Sequence, residues 1–209
     1  MDKIKLGVLV GGTSIEREVS KKSCENLLAN LDENKYEITV YHLPADGNTE
    51  WAKNIISNPP QIVLSALHGG NGENGSIQGF LHCLNIPYIG SKVLSSAICM
   101  NKAMAKTVMK ANHIQVPDHV FVMRGVDFSQ YEESIKLMGF PLIVKPNRGG
   151  SSIGVIVARN MEDIHYGIKN IIETYDDDVL IEKFIDGKEI NCCVCLLYTS
   201  PSPRDPKTS

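Results

Sequence analysis

The sequence predicts an α/β protein built from two units. Through residues 1–97, short apolar runs rich in β-branched residues alternate with helical stretches, as in βαβ units that form a parallel sheet. From about residue 98 the pattern changes to β-type runs separated by two helical stretches, which indicates a second, smaller α+β unit. Apolar residues make up 43% and charged residues 22% of the 209 residues, as is typical of folded globular proteins.

The elements follow from hydrophobic patterning and from glycine-rich turns. In the first unit we expect strands at 4–10, 36–41, 62–67 and 86–89, and helices at 14–31, 51–57 and 76–84. In the second unit we expect helices at 101–112, 128–138 and 161–175, and strands at 119–123, 142–145, 154–158 and 179–184. Residues 189–197 are expected to form a strand that enters a further domain.

Composition excludes several classes of function. A net charge of −3 and a pI near 6.1 provide no basic surface for nucleic acid. No apolar run approaches the ~18 residues that a membrane span needs. The N-terminal residues lead directly into a strand and have no signal-peptide pattern, and the six cysteines lack paired CxxC spacing. We therefore expect a cytoplasmic protein with reduced thiols.

The first candidate motif is GGTSIEREVS at residues 11–20, at the turn from the first strand into a helix. A glycine-rich turn before a helix presents free N–H groups and the positive end of the helix dipole. The structural alternative is a capping box formed by Thr13 and Glu16. No G-x-G-x-x-G fingerprint occurs here, which disfavours a Rossmann oxidoreductase.

The second candidate motif is HGGNGENGSIQG at residues 68–79, after the third strand. Its five glycines indicate a backbone that approaches another group closely or adopts positive φ repeatedly. It lies at the carboxyl end of a predicted parallel strand, where open α/β sheets bind ligands. The alternative is a loop with an Asn-Gly turn and a histidine of no special role.

Two further motifs lie in the second unit. In KPNRGGSSIG at residues 145–154, a lysine ends an apolar strand and precedes a glycine-serine loop, which favours phosphate binding over a plain hairpin. This is not a Walker A loop, because the lysine precedes the glycines. In LIEKFIDGKE at residues 180–189, two lysines and three acids surround one strand; by itself this pattern favours an amphipathic edge strand.

Taken in order, the four motifs resemble those of the D-alanine–D-alanine ligases of the ATP-grasp superfamily. The resemblance spans residues 1 to about 194 and includes G-G-x-S-x-E-R-E-V-S, H-G-x-x-G-E-x-G-x-x-Q-G, V-K-P-x-x-x-G-S-S-x-G and I-E-K-x-x-x-G-x-E. It implies an enzyme that uses ATP to join two D-alanines, through a D-alanyl phosphate, for the peptidoglycan precursor of bacterial cell walls.

The resemblance also implies roles for individual residues. Glu16 is expected to hold the ammonium group of the first D-alanine, Ser151 to orient that site, and His68 to lie near the reacting carboxylate. The expected ATP-binding residues are Lys102, Lys145, Gly150 and Ser152 at the phosphates, Glu182, Lys183 and Ile185 at the adenine, and Glu189 at the ribose.

The resemblance divides the chain into four segments. Residues 1–97 are expected to form the Rossmann-like, pre-ATP-grasp domain that binds substrate, and residues 98–188 the small ATP-grasp subdomain. Residues 189–195 are expected to begin the large ATP-grasp subdomain, the rest of which is missing. Its Mg²⁺ (or Mn²⁺) ligands and second D-alanine site are expected to be missing with it, so we expect this chain to be inactive alone.

Several alternatives remain open. The second substrate of the parent enzyme could be D-lactate or D-serine, and the chain could be a non-catalytic fragment that binds nucleotide or an amino acid. The family pattern G-E-D-G has Asn74 as its third residue here, a change expected to have a minor effect. The expected partners are D-alanine and ATP, with neither nucleic acid nor membrane, and the parent is expected to be a homodimer.

The last residues, 196–209, differ in kind from the rest and are rich in serine, threonine and proline. We expect this segment to be disordered and non-native, because LLYTSPSPRD resembles translated sequencing-adapter DNA. Sequencing the source DNA across codons 185 to 209 and roughly 400 bases beyond, the coding length of a domain, should show the reading frame continuing in homologous sequence. A chromosomal gene that encodes this segment and then a stop codon would contradict this prediction.

Overall fold

The computed structural model describes residues 2–192 and contains two β-sheets, one in each half of the chain. The predicted α/β class, with a parallel sheet followed by a small antiparallel sheet, is confirmed. Residues 193–209 lie outside the described residues, and they include most of the predicted strand at 189–197 and the whole segment 196–209.

The first sheet is entirely parallel and has the strand order β2-β1-β3-β4. Strand β1 is buried from Leu6 onward, as expected for a central strand covered on both faces. Strands β3 and β4 are shorter than predicted, and the edge strand β4 has only two residues. The bounds are β1 Ile4–Gly11, β2 Tyr36–Leu43, β3 Ile62–Ser65 and β4 Tyr88–Ile89.

Helices cover both faces of this sheet. Leu6, Val8 and Val10 pack with Cys24 of α1 on one face. On the other face, Leu9 shares a core cluster with residues of α2 and α4. The bounds are α1 Arg17–Asn30, α2 Glu50–Ser57, α3 Gly70–Glu73 and α4 Ser76–Cys83, of which α3 lies within the second motif and was not predicted.

The second sheet is antiparallel and has the order β5-β8-β6-β7. Helices α7 and α8 cover one face, where Ile135, Ile164 and Ile171 are fully buried against Val144 and Ile181. Helix α5, which was not predicted, precedes α6. The bounds are α5 Val93–Met100, α6 Lys102–Ala111, β5 His119–Val122, α7 Ser129–Met138, β6 Leu142–Pro146, β7 Ile156–Ala158, α8 Met161–Tyr175 and β8 Val179–Lys183.

Two local expectations are wrong. Strand β8 is not an edge strand but lies between β5 and β6, with Val179 through Glu182 buried. Thr13 does not cap α1: Glu16 is the cap residue and makes no side-chain capping bond, while Ser14 Oγ accepts a hydrogen bond from the Glu16 N–H. Residues 189–192, the described part of the predicted strand at 189–197, are not in a strand, and the expectation for the rest of that segment stays a prediction.

Within residues 2–192, no helix is both long and apolar enough to cross a membrane. Four cysteines of this range, Cys24, Cys83, Cys99 and Cys192, are free thiols.

Two helical glycines provide a matched test of the packing. A β-carbon at Gly167 of α8 would lie 3.0 Å from Cγ1 of the fully buried Val144, whereas one at Gly79 of α4 would have no atom within 4 Å. We expect Gly167→Ala to lower the free energy of unfolding by about 1 kcal/mol, because overpacking outweighs the gain in helix propensity. Gly79→Ala should raise it by about 0.5–1 kcal/mol. Urea denaturation measures both, and equal shifts would contradict this account of the packing.

Candidate functional site

The centre of the site is Glu16, where three of the four motifs meet. Ser151 Oγ donates a hydrogen bond to Glu16 Oε1 at 2.6 Å, which links the glycine-serine loop of the second unit to the first motif. On the other side, a β-carbon at Gly69 would lie 2.5 Å from Glu16 Oε2 and 2.6 Å from Ser14 Oγ. Gly69 also has a φ of 63°. The second motif therefore needs glycine here, both for its conformation and for its close approach to the carboxylate.

Two serines of helix α1 form hydrogen bonds with residues of the first and second motifs. Ser20 is fully buried and its Oγ accepts a hydrogen bond from the Gly11 N–H at 2.8 Å. Ser23 Oγ lies 2.8 Å from His68 Nε2, and His68 Nδ1 lies 3.9 Å from Glu73 Oε1. Ser23 therefore fixes the orientation of the imidazole and leaves Nδ1 on the side of Glu73.

Sequence reasoning missed Ser20 and Ser23. A signal was present, because Glu16, Ser20 and Ser23 recur at spacings of four and three residues, which places them on one face of a helix. The identity of their partners was not readable, since the Ser23 hydroxyl binds a residue 45 positions away in the chain.

The glycine-serine loop between β6 and β7 has an unusual backbone. Ser151 and Ser152 have φ values of 51° and 58°, in the left-handed region that residues other than glycine seldom adopt. At its base, the Arg148 N–H donates to Oδ2 of the buried Asp177 at 2.6 Å. Strain of this kind collects at ligand-binding sites, and here it directs the Ser151 hydroxyl at Glu16.

Lys102, the first residue of α6, directs its ammonium group at the base of this loop. Lys102 Nζ donates to the carbonyl oxygens of Pro146, at 3.1 Å, and of Gly149. Burial, and secondarily the nearby Lys145 ammonium, lower the pKa of Lys102 from its ordinary value of 10.5. The loop and this cation therefore form one cluster, and the phosphate-binding role expected for it stays a prediction.

Lys145 and Glu182 lie side by side on β6 and β8. Lys145 Nζ donates to Glu182 Oε1, and Lys106 Nζ of α6 lies 2.8 Å from Glu182 Oε2. Burial raises the pKa of Glu182, but the hydrogen bonds from Lys106 and Lys145 outweigh burial and hold that pKa below its ordinary 4.5. Lys106 was not anticipated from the sequence.

The remaining expected residues lie at the end of β8. Lys183, Ile185 and Glu189 are exposed, and Ile185 is 67% accessible.

Gly150, in the glycine-serine loop, is also exposed, and a β-carbon there would lie 3.7 Å from Glu16 Oε2. Within residues 2–192, no group of three or more His, Cys, Asp or Glu side chains is arranged to hold a metal ion. The roles expected at adenine and ribose stay predictions.

Comparison with known families gives matches in both halves of the chain. The family described as D-ala D-ala ligase N-terminus matches residues 49–91. The family described as D-ala D-ala ligase C-terminus matches residues 108–199.

Individual relatives agree. A D-alanine–D-alanine ligase of Bacillus anthracis is 41% identical over 192 residues, which are 91% of this chain and 60% of the relative. The crystal structure of a B. anthracis D-alanine–D-alanine ligase with ATP has a TM-score of 0.76 and 36% identity, covering 90% of this chain and 61% of that one. VanG D-Ala:D-Ser ligase of Enterococcus faecalis has a TM-score of 0.76 and 27% identity, covering 89% and 64%. The chain thus spans about 60% of the length of the B. anthracis relative.

The Glu182 cluster generates a prediction about stability. A depressed folded-state pKa means that ionised Glu182 stabilises the fold above pH 4.5, and that this contribution is lost as the pH falls through the folded-state pKa. At pH 7 we expect Glu182→Gln to lower the free energy of unfolding by about 3 kcal/mol, because two partly buried ammonium groups lose their counter-charge. The difference from the parent chain should shrink as urea denaturation is repeated at lower pH.

The matched control is Glu132→Gln, since Glu132 pairs with Lys136 at 2.8 Å on the surface of the same unit. Solvent screening makes such pairs weak, so no resolvable change is expected there. Equal effects of the two variants, or a Glu182→Gln effect that does not depend on pH, would refute the role given to the cluster.

Proposed function

Since the chain belongs to the D-alanine–D-alanine ligase family, we propose that it supplies the first D-alanine site and the phosphate-binding part of the ATP site of such a ligase. The observation that carries the proposal is the contact between Ser151 Oγ and Glu16 Oε1, 2.6 Å long. It brings the substrate motif of the first unit against the phosphate motif of the second. The proposed reaction needs this arrangement, because the carboxylate of a bound D-alanine must meet a phosphoryl group.

In the proposed amino-acid site, the Glu16 carboxylate pairs with the ammonium group of the first D-alanine. Ser151 holds that carboxylate in place through its hydroxyl, and the buried Gly69 leaves room beside it. His68, oriented by Ser23, is proposed to donate from Nδ1 toward the D-alanine carboxylate. A carboxylate attacking a phosphoryl group brings two anions together, so donors near both of them lower the barrier.

In the proposed nucleotide site, Lys102 and Lys145 pair with phosphate oxygens, and the backbone N–H groups near Gly150 and Ser152 donate to them. What supports this is that both lysines line the same cavity, which has a volume of about 190 Å³ and is also lined by Ser151 and Ser152. Closure of the loop over the phosphates would exclude water from the acyl phosphate. Glu182, Lys183 and Ile185 are proposed to border the adenine, and Glu189 the ribose.

The product is proposed to be D-alanyl-D-alanine for peptidoglycan synthesis, cell-wall biogenesis and cell shape, made by a homodimeric parent enzyme in the cytoplasm. Mg²⁺ is implied by the family and is proposed as the metal of the parent enzyme. D-serine or D-lactate as second substrate, and a fragment that only binds ligands, remain alternatives. That the 209-residue chain alone has no turnover stays a prediction.

The test is ligand binding by the chain, measured by thermal shift and calorimetry with ATP, D-alanine and L-alanine. We expect saturable stabilisation by ATP and by D-alanine but not by L-alanine. Ser151→Ala should weaken D-alanine binding about tenfold, the effect of losing one hydrogen bond to a charged group. Ser152→Ala, its neighbour, should leave D-alanine binding unchanged and weaken ATP binding. Equal responses to the two alanine enantiomers, or no response to ATP, would contradict the proposal.

A further inference from the structure

Asn147 follows β6, at the first variable position of the third motif, and is a fully buried polar residue. Its backbone N–H donates to the carbonyl oxygen of Asp178 at 2.9 Å. Its backbone carbonyl accepts from the Lys102 N–H at 3.0 Å, and its side-chain Oδ1 accepts from the Ala103 N–H at 2.9 Å. One residue thus joins the end of a strand to the beginning of a distant helix.

These bonds satisfy donors that α6 cannot satisfy itself. The first four N–H groups of a helix have no partner within the helix. Asn101, the cap residue, accepts from the Met104 N–H at 3.0 Å. Asn147 accepts from the two preceding donors, those of Lys102 and Ala103. The beginning of α6 is therefore held both from within, by Asn101, and from across the fold, by Asn147.

The Lys102 side chain closes this connection into a ring. Its backbone is bonded to Asn147, and its ammonium group returns to the carbonyls of Pro146 and Gly149, on either side of Asn147. The start of α6 and the first turn of the glycine-serine loop therefore move together. If the Asn147 side chain were removed, the helix would keep its own cap and lose part of its attachment to the loop.

The chemistry of Asn147 argues against a role in packing alone. Its Nδ2 is buried without a hydrogen-bond partner within the described residues. An unpaired buried donor is costly, and an apolar residue of similar size would avoid that cost. What the carboxamide supplies is the acceptor Oδ1 at the N-terminus of α6.

We propose that Asn147 is a positioning residue that fixes the Lys102 ammonium group at the base of the glycine-serine loop. On the proposed function, which this part of the inference rests on, the effect is to present Lys102 and the loop N–H groups to the same phosphate chain. Asn147 itself touches no ligand in this role and acts through Lys102.

The first test needs no ligand. The parent chain, Asn147→Ala and Asn101→Ala are treated with a limiting amount of an amine-reactive reagent, and the labelling of Lys102 is followed by peptide mass spectrometry. We expect Asn147→Ala to raise the Lys102 labelling rate about fivefold, the population change that loss of one hydrogen bond causes. Asn101→Ala removes a capping acceptor from the same helix end and should leave that rate unchanged.

Equal labelling of Lys102 in the parent and in Asn147→Ala, or equal increases in both variants, would overturn the proposal. If Asn147→Ala does not fold, Asn147→Ser serves instead, because its shorter side chain cannot reach the Ala103 N–H with the same geometry. Labelling of the exposed Lys169 gives the reference rate in every sample.

The second test separates positioning from general damage to the fold. Asn147→Ala should weaken ATP binding about fivefold and leave adenosine binding unchanged, because adenosine has no phosphates for Lys102 to contact. A merely structural defect would weaken both ligands, and that result would overturn the proposal. If the parent chain binds no ATP, the proposed nucleotide site fails, while the labelling of Lys102 still decides whether Asn147 positions it.

Discussion

The second unit holds three lysine ammonium groups in a region that is largely shielded from water, and the need to pair these charges constrains the rest of the unit. Lys102, Lys106 and Lys145 lie around Glu182 and the base of the glycine-serine loop. Cations withdrawn from water must be paired or hydrogen-bonded. Glu182 pairs with two of the lysines and loop carbonyls accept from the third, which explains why a carboxylate lies buried in β8 and why the carbonyls of Pro146 and Gly149 face Lys102.

The same constraint shapes how the two units meet. Lys102 Nζ binds the carbonyl oxygens of Pro146 and Gly149 and thereby holds the base of the loop in place. Ser151, held in the left-handed region, brings its hydroxyl to Glu16 of the first unit. The junction between the units therefore includes a charged hydrogen bond beside glycines, and the cavity next to it, lined by Ser151 and Ser152, leaves space for a polar ligand.

Much of the fold was predictable because it follows from local patterns. The apolar run at β1 and the periodicity of α8 gave correct elements, and α8 was predicted with its observed bounds, Met161–Tyr175. The position of β8 within its sheet was not predictable, because Glu182 and Lys183 look polar in sequence and the lysine partners of Glu182 come from other elements. Ser23 and Asn147 were missed for the same reason: their partners lie 45 and 44 positions away.

The charge arrangement also bears on which ligand the site can accept. In the structure, Lys145 is paired with Glu182, and Lys102 is bound to loop carbonyls. The phosphates of a nucleotide would therefore have to replace these partners of the two lysines. A ligand with a single negative charge gains little by replacing Glu182 at Lys145, because the Glu182 carboxylate then loses Lys145 as a partner. A polyphosphate would bring several charges to both lysines at once, and Lys106, which lies 2.8 Å from Glu182, would keep that carboxylate ionised. Lys106 would thereby make the exchange at Lys145 electrostatically feasible.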